Sequence, residues 1–171
     1  MITQLYHGGK DIDKTYHYGY EPSGGPKRYE HGTGLYLTAD IEIAKSYAKG
    51  ARTVFAVEVD IDPSKDINRV KLDLEGLERC MQTLRYGGMG KATAKKYMDH
   101  FVETANGSPI PLSWIVNNLV NDGYAKRYAK AINQLVIESG ATHEVSAYKS
   151  AQLVIVYDFG IIKSVKKISG K

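Results

Sequence analysis

Gly32-Thr-Gly-Leu-Tyr36-Leu-Thr-Ala-Asp40-Ile-Glu-Ile-Ala44-Lys-Ser-Tyr47 is the stretch in which the chain changes period. Leu35, Tyr36 and Leu37 form a compact apolar run between Gly34 and Thr38, the pattern of a short buried strand. Past Thr38 the spacing shifts. Ile41, Ala44, Tyr47 and Ala48 fall on one face of a helix, and Thr38 or Asp40 is placed to cap it.

Working outward from this strand-helix unit, Ile2–His7 reads as a short strand ending in His7-Gly8-Gly9. Residues 8–33 are rich in Gly, Pro, Tyr and charge, with Pro22-Ser-Gly-Gly-Pro26 as turn punctuation. A loop of that length inside a compact domain is usually functional. Downstream, Val54–Ile61 reads as a strand that Asp62-Pro63-Ser64 ends. Residues 72–139 read as helical, with Leu74, Leu77, Met81 and Leu84 at helical spacing and Trp114, Asn118 and Leu119 repeating less cleanly. Ala125–Glu138 reads as a helix closed by Ser139-Gly140. Two strands, Gln152–Tyr157 and Ile161–Ile168, flank Asp158-Phe159-Gly160. Strands at both ends with a helical block between them make an α+β layout, expected as a single domain over 1–171 with its helical insertion over 69–140.

Bulk properties agree with one globular unit. A chain of 171 residues buries about two-thirds of its unfolded surface. No apolar run approaches the ~20 residues of a membrane span. The opening Met-Ile-Thr-Gln-Leu-Tyr-His lacks the regions of a secretory signal, so a cytoplasmic protein is expected. Cys80 is the lone cysteine and reads as a small buried hydrophobe. Thirteen tyrosines stand against three phenylalanines and one tryptophan, which suits a pocket for a polar aromatic ligand. Residues 1–68 carry 8 basic and 10 acidic side chains, and residues 69–171 carry 15 and 9, so the C-terminal part is basic. Such a surface attracts nucleic acid or an acidic protein face.

Several signatures fail on spacing. Gly87-Gly-Met-Gly-Lys91 has Arg85 where a phosphate loop needs its first glycine and Ala92 where it needs Ser or Thr, so it reads as an interhelical turn. Gly32-Thr-Gly34 lacks the third glycine of a dinucleotide fingerprint. The histidines His7, His17, His31, His100 and His143 contain no i, i+4 pair for zinc, and Gly-x-Ser-x-Gly is missing.

What survives is an ordered set: Leu5-Tyr6-His7-Gly8, then Gly32-Thr-Gly-Leu-Tyr36-Leu-Thr38 with Tyr47 on the following helix, then Gln152-Leu-Val-Ile-Val-Tyr-Asp158. This set resembles the ADP-ribosyltransferase superfamily, in its diphtheria-toxin-like and poly(ADP-ribose)-polymerase-like branch. There His-Gly precedes Gly-hydrophobic-Tyr-hydrophobic, a helix bearing a second Tyr, and a strand beginning with Glu. The eleven-residue step from Tyr36 to Tyr47 matches that branch's nicotinamide-sandwiching tyrosines. The resemblance covers residues 2–62 and 145–168 and implies a split β-sheet core, NAD+ as co-substrate and no metal. It implies that His7 bonds the adenosine ribose, that the Gly8 backbone holds the nicotinamide amide, and that Tyr36 and Tyr47 stack on the ring. Thr38 and Leu153 are expected beside the cofactor, and residues 8–33 as a lid over it. Such a site must stabilise an oxocarbenium-like transition state as the nicotinamide–ribose bond breaks.

The chain departs from that pattern in two places. Counting back from Tyr157-Asp158 without a gap, the family's Glu falls on Leu153; a one-residue shift, as from a β-bulge, puts Gln152 there. Neither carries charge. Gln152 is the expected catalytic member with His7 and Tyr36, and Glu144 is a further source of a carboxylate from the loop before this strand. Ala44 replaces a Ser that bonds the nicotinamide amide. The expectation is a mono-ADP-ribosyltransferase acting on a protein or nucleic acid. The alternatives are a catalytically inactive NAD+- or ADP-ribose-binding pseudoenzyme and a small antibiotic-modifying transferase. An RNA 2′-phosphotransferase expects several N-terminal arginines, whereas residues 1–68 hold only Arg28 and Arg52.

Overall fold

The computed structural model describes residues 1–9, 34–48, 53–148 and 151–169. The expected lid, apart from Gly8 and Gly9, lies outside the described residues. Six strands form one antiparallel sheet: β1 (Ile2–Gly8), β2 (Leu35–Thr38), β3 (Val54–Asp60), β6 (His143–Tyr148), β7 (Ala151–Val156) and β8 (Ile162–Ser169). Their order across the sheet is β6-β7-β2-β1-β3-β8. The α+β layout therefore holds.

Helix α1 (Ile41–Tyr47) follows β2 directly, and the Asp40 carboxylate caps it by accepting the Glu42 N–H at 2.8 Å. Thr38 supports the same turn, its hydroxyl oxygen accepting the Asp40 N–H at 3.1 Å. The helical block holds α2 (Leu74–Tyr86), α3 (Lys91–Ala105), α4 (Leu112–Asn121) and α5 (Ala129–Glu138). A two-stranded ribbon, β4 (Lys71–Leu72) with β5 (Ile110–Pro111), ties the start of the block to its middle. Gly87–Gly90 is the interhelical turn, and Met89 within it is buried in the core. Gly140 sits at φ +87°, the left-handed conformation that ends α5. Cys80 is buried, which pushes its thiol up.

The structure differs from the sequence reading at α5, at β6 and at the β4–β5 ribbon, which interrupts the stretch read as helical. Helix α5 starts at Ala129 rather than Ala125, because Tyr128 at φ −117° and ψ 26° leaves the helical region. His143–Tyr148 is a strand, whereas Glu144 was expected in a loop. Both His143 and Glu144 are buried in it, so the strand carries polar side chains where an alternating apolar pattern would have announced it.

Among the described residues the two largest cores lie against the sheet. The larger joins the helical block to Leu153, Ile155 and Tyr157, with half-buried Tyr36 packed against it. The smaller gathers Leu5, Leu35, Leu37, Phe55, Val57, Val154 and Val156 with Phe159 and Ile162. Among the described residues no α-helix contributes to this second cluster, and Phe159 comes from a short 3-10 turn. Among the described residues no helix is long and apolar enough to cross a membrane.

Candidate functional site

The three motif strands are successive neighbours, β7-β2-β1. β2 pairs with β7 over four residues, Leu35↔Val156 to Thr38↔Leu153. β1 pairs with β3 over seven, Ile2↔Asp60 to Gly8↔Val54. Between β1 and β2, in contrast, one pair stands in register, Tyr6↔Thr38. The sheet thus consists of two well-laddered halves, β6-β7-β2 and β1-β3-β8, meeting at a thin seam.

His7 stands at that seam. Its Nδ1–H donates to the Tyr36 carbonyl at 3.1 Å, which assigns the proton to Nδ1 because a carbonyl can only accept. The ring is 8% exposed and stacks against Phe55 with centroids 6.2 Å apart. A side chain here takes over a task that a backbone N–H performs elsewhere in the sheet.

Strand alternation sorts the expected site residues onto two faces. Tyr36, Thr38 and Leu153 share the face of Tyr6 and Gly8, and α1 with Tyr47 lies over the Tyr6–Gly8 part of it. His7 and Gln152 point to the other face, with Leu5, Leu35 and Leu37. The fold therefore brings Tyr36, Tyr47, Thr38, Gly8 and Leu153 to one side and His7 to the seam. It brings neither Gln152 nor the His7 ring to Tyr36's face, so the ribose contact expected of His7 is replaced by its bond to the Tyr36 carbonyl.

The bulge that a Gln152 role requires is not there. The β6–β7 register runs unbroken from His143↔Val156 to Tyr148↔Ala151, and the β2–β7 register is equally regular. Gln152 is exposed, and Leu153, opposite Thr38, is 1% exposed. Leu153 is thus the residue that faces Tyr36's side of the sheet.

Gly8 is a glycine for a reason the sequence did not reveal. A Cβ on it would lie 1.8 Å from the Ala44 carbonyl oxygen, so α1 rests directly on the β1 backbone. The space at the missing Gly8 Cβ, expected to face the nicotinamide amide, is filled by the helix backbone. Ala44 itself is fully buried in that contact, with Ala48 and Val54 beside it.

One titratable group on Tyr36's face was expected elsewhere. Glu144 lies in the row Tyr36–Ile155–Glu144 across three strands, two strand spacings or about 10 Å from Tyr36. It is 7% exposed, and its Oε2 accepts the Tyr157 hydroxyl at 3.5 Å. Burial, with the Asp66 carboxylate adding to it, pushes Glu144 up to about 7 against the opposing pull of Tyr157. Asp66 is also buried, but it accepts the Asn68 N–H at 2.9 Å and the Val145 N–H at 3.3 Å. Next to Glu144, fully buried His143 shares a 2.9 Å hydrogen bond between Nδ1 and the Thr142 hydroxyl. Burial pushes this imidazole down, against the attraction of Asp66.

No family model and no curated protein matches the chain. Among solved structures it is similar to one described as the crystal structure of an anti-CRISPR protein. That similarity runs over 98% of this chain and 96% of the other, at 14% identity and a TM-score of 0.38.

Proposed function

We propose that this protein is a mono-ADP-ribosyltransferase that cleaves NAD+ at the nicotinamide–ribose bond and passes ADP-ribose to a macromolecular acceptor. The observation that carries the reading is the seam. Three sequence segments that match the family pattern in order are adjacent in one sheet, and its halves meet where His7 holds the Tyr36 carbonyl. The single register pair between β1 and β2, Tyr6↔Thr38, supports the split core that the resemblance implies.

In this reading Tyr36 and Tyr47 hold the nicotinamide on the α1 side, and His7 acts as a positioning residue that fixes the strand bearing Tyr36. Breaking the C1′–N bond leaves the electron pair on nicotinamide and an oxocarbenium-like ribose. A nucleophile on the acceptor then forms the new bond at C1′ and loses its proton. Leu153 offers no charge to the ribose, and Glu144 is separated from Tyr36 by Ile155. With no carboxylate to activate a ribose hydroxyl for a second round, transfer ends at one unit. The same absence of charge at Leu153 favours a second reading, a binding protein that holds NAD+ without cleaving it.

Tyr36→Ala removes about 1–1.5 kcal/mol of aromatic contact and is expected to raise the NAD+ dissociation constant roughly tenfold. Isothermal calorimetry of both proteins checks this. Unchanged affinity in a folded variant takes Tyr36 out of the site.

A further inference from the structure

The helical block holds a cleft of about 440 Å³ that the sheet-borne site does not use. Thr93, Lys96, Tyr97 and His100 line one wall from α3, at positions i, i+3, i+4 and i+7. Asn118, Asp122 and Tyr124 line the other, at the end of α4 and the turn beyond it. The volume lies within the range of small-molecule sites.

The hydrogen bonds already made fix what the cleft has left to offer. The Asn118 amide nitrogen donates to the Trp114 carbonyl at 2.7 Å, so its orientation is set and its side-chain oxygen remains as an acceptor. The Tyr97 hydroxyl donates to Asp122 Oδ2, leaving Oδ1 as a second acceptor one helical turn further on. Burial, reinforced by the Asp122 carboxylate, pushes the Tyr97 hydroxyl well above the usual phenol range, so it stays a donor. Tyr97 and Tyr124 meet edge to face with centroids 6.3 Å apart, and Tyr97 stacks on Phe101, so the aromatic wall is braced before any ligand arrives. Lys96 is exposed on the α3 side.

A ligand that pairs with both remaining acceptors, lies on the aromatic wall and meets Lys96 presents two N–H donors, a flat ring and an anionic group. Among the common nucleobases only guanine has adjacent N–H donors on its pairing edge, N1–H and the exocyclic amine; adenine, cytosine and uracil each interrupt the edge with an acceptor. An arginine side chain also presents paired donors, but its positive charge would meet Lys96. We propose that this cleft is a guanine-nucleotide site. Asn118 and Asp122 read the base edge, Tyr97 and Tyr124 supply the aromatic wall, and Lys96 meets the phosphate. The phosphate belongs either to a free mononucleotide or to a guanine in a single strand. The site is independent of NAD+ binding.

Calorimetry with GMP, AMP, CMP and UMP tests it, alongside guanosine, N-acetylargininamide and a single-stranded RNA hexamer holding one guanine. GMP is expected to bind at least tenfold more tightly than the other three nucleotides. Asp122→Asn keeps an acceptor for Tyr97 but turns an amide N–H toward the base, and is expected to weaken GMP at least tenfold. Lys96→Ala is expected to remove the advantage of GMP over guanosine. A hexamer at least tenfold tighter than GMP assigns the site to a nucleic-acid strand, and equal affinities assign it to a free nucleotide. Equal binding of all four nucleotides, no binding of GMP or hexamer, or an unaltered Asp122→Asn variant overturns the proposal. So does N-acetylargininamide binding in place of GMP. Tyr36→Ala is expected to leave GMP affinity unchanged, and displacement of GMP by NAD+ contradicts the existence of a separate site.

Discussion

Replacing Gly8 with alanine is expected to cost at least about 3 kcal/mol of stability and to lower Tm by roughly 6–12 °C. The added Cβ would sit 1.8 Å from the Ala44 carbonyl oxygen, 2.8 Å from its carbon and 3.0 Å from the Ala48 nitrogen. All three are backbone atoms, so no rotamer change relieves the overlap. Either β1 bends or α1 lifts away, and lifting it exposes the apolar contact among Ala44, Ala48 and Val54. Since α1 carries Tyr47, NAD+ affinity is expected to fall with stability. A Tm within 2 °C of the parent, measured by calorimetry or circular dichroism, means that α1 does not rest on the β1 backbone at Gly8.

The second large effect concerns pH. Glu144 titrates near 7 in the folded protein, against an ordinary value of 4.5. The folded state therefore holds this proton more tightly than the unfolded chain. Its contribution is fully present below pH 4.5 and is lost as pH rises through about 7, on the order of 3 kcal/mol in all. His143 acts with the opposite sign. Its folded value is pushed below 6.5, so acid favours the unfolded chain as pH falls through that value. The two tendencies are separated by comparing the parent with Glu144→Gln, which keeps a partner for Tyr157 and removes one titration. The variant is expected to match the parent near pH 4 and to exceed it by about 3 kcal/mol at pH 8, a Tm difference of roughly 6–12 °C. Denaturant unfolding at several pH values measures this directly. Parallel stability curves for the two proteins would show that Glu144 titrates normally.

Local pattern was enough to read the strand-helix unit around Tyr36, the Val54 strand, the helical block and the closing strands. Each of these buries one regular face, and burial of a regular face is what leaves a period in a sequence. β6 left none. His143 and Glu144 are buried on its two faces, hydrogen-bonded to Thr142 and Tyr157, so polar side chains stand where apolar ones would have left a period. The ribbon strands β4 and β5 are two residues long each and too short to show a period.

The candidate site was legible in order but not in depth. His7, Tyr36 and Tyr47 could be picked out by spacing, whereas what shares Tyr36's face depends on register with a strand over a hundred residues away. Register is also what separates Leu153 from Gln152, because a slip of one residue exchanges the two faces of β7. The role of Gly8 in seating α1 depends on a contact 36 residues along the chain. The α3–α4 cleft pairs Tyr97 with Asp122, 25 residues apart. The stripe Thr93, Lys96, Tyr97 and His100 on α3 was its only trace in the sequence.

Incubation with NAD+ labelled separately in its nicotinamide and adenylate parts tests the central claim most directly. Release of free nicotinamide is expected from the parent protein and is expected to fall sharply in Tyr36→Ala. On a denaturing gel, adenylate label on any acceptor is expected as a single step of one ADP-ribose. A ladder of high-mass products would contradict transfer of a single unit. Nicotinamide release from the parent no greater than from NAD+ alone would contradict the enzyme itself.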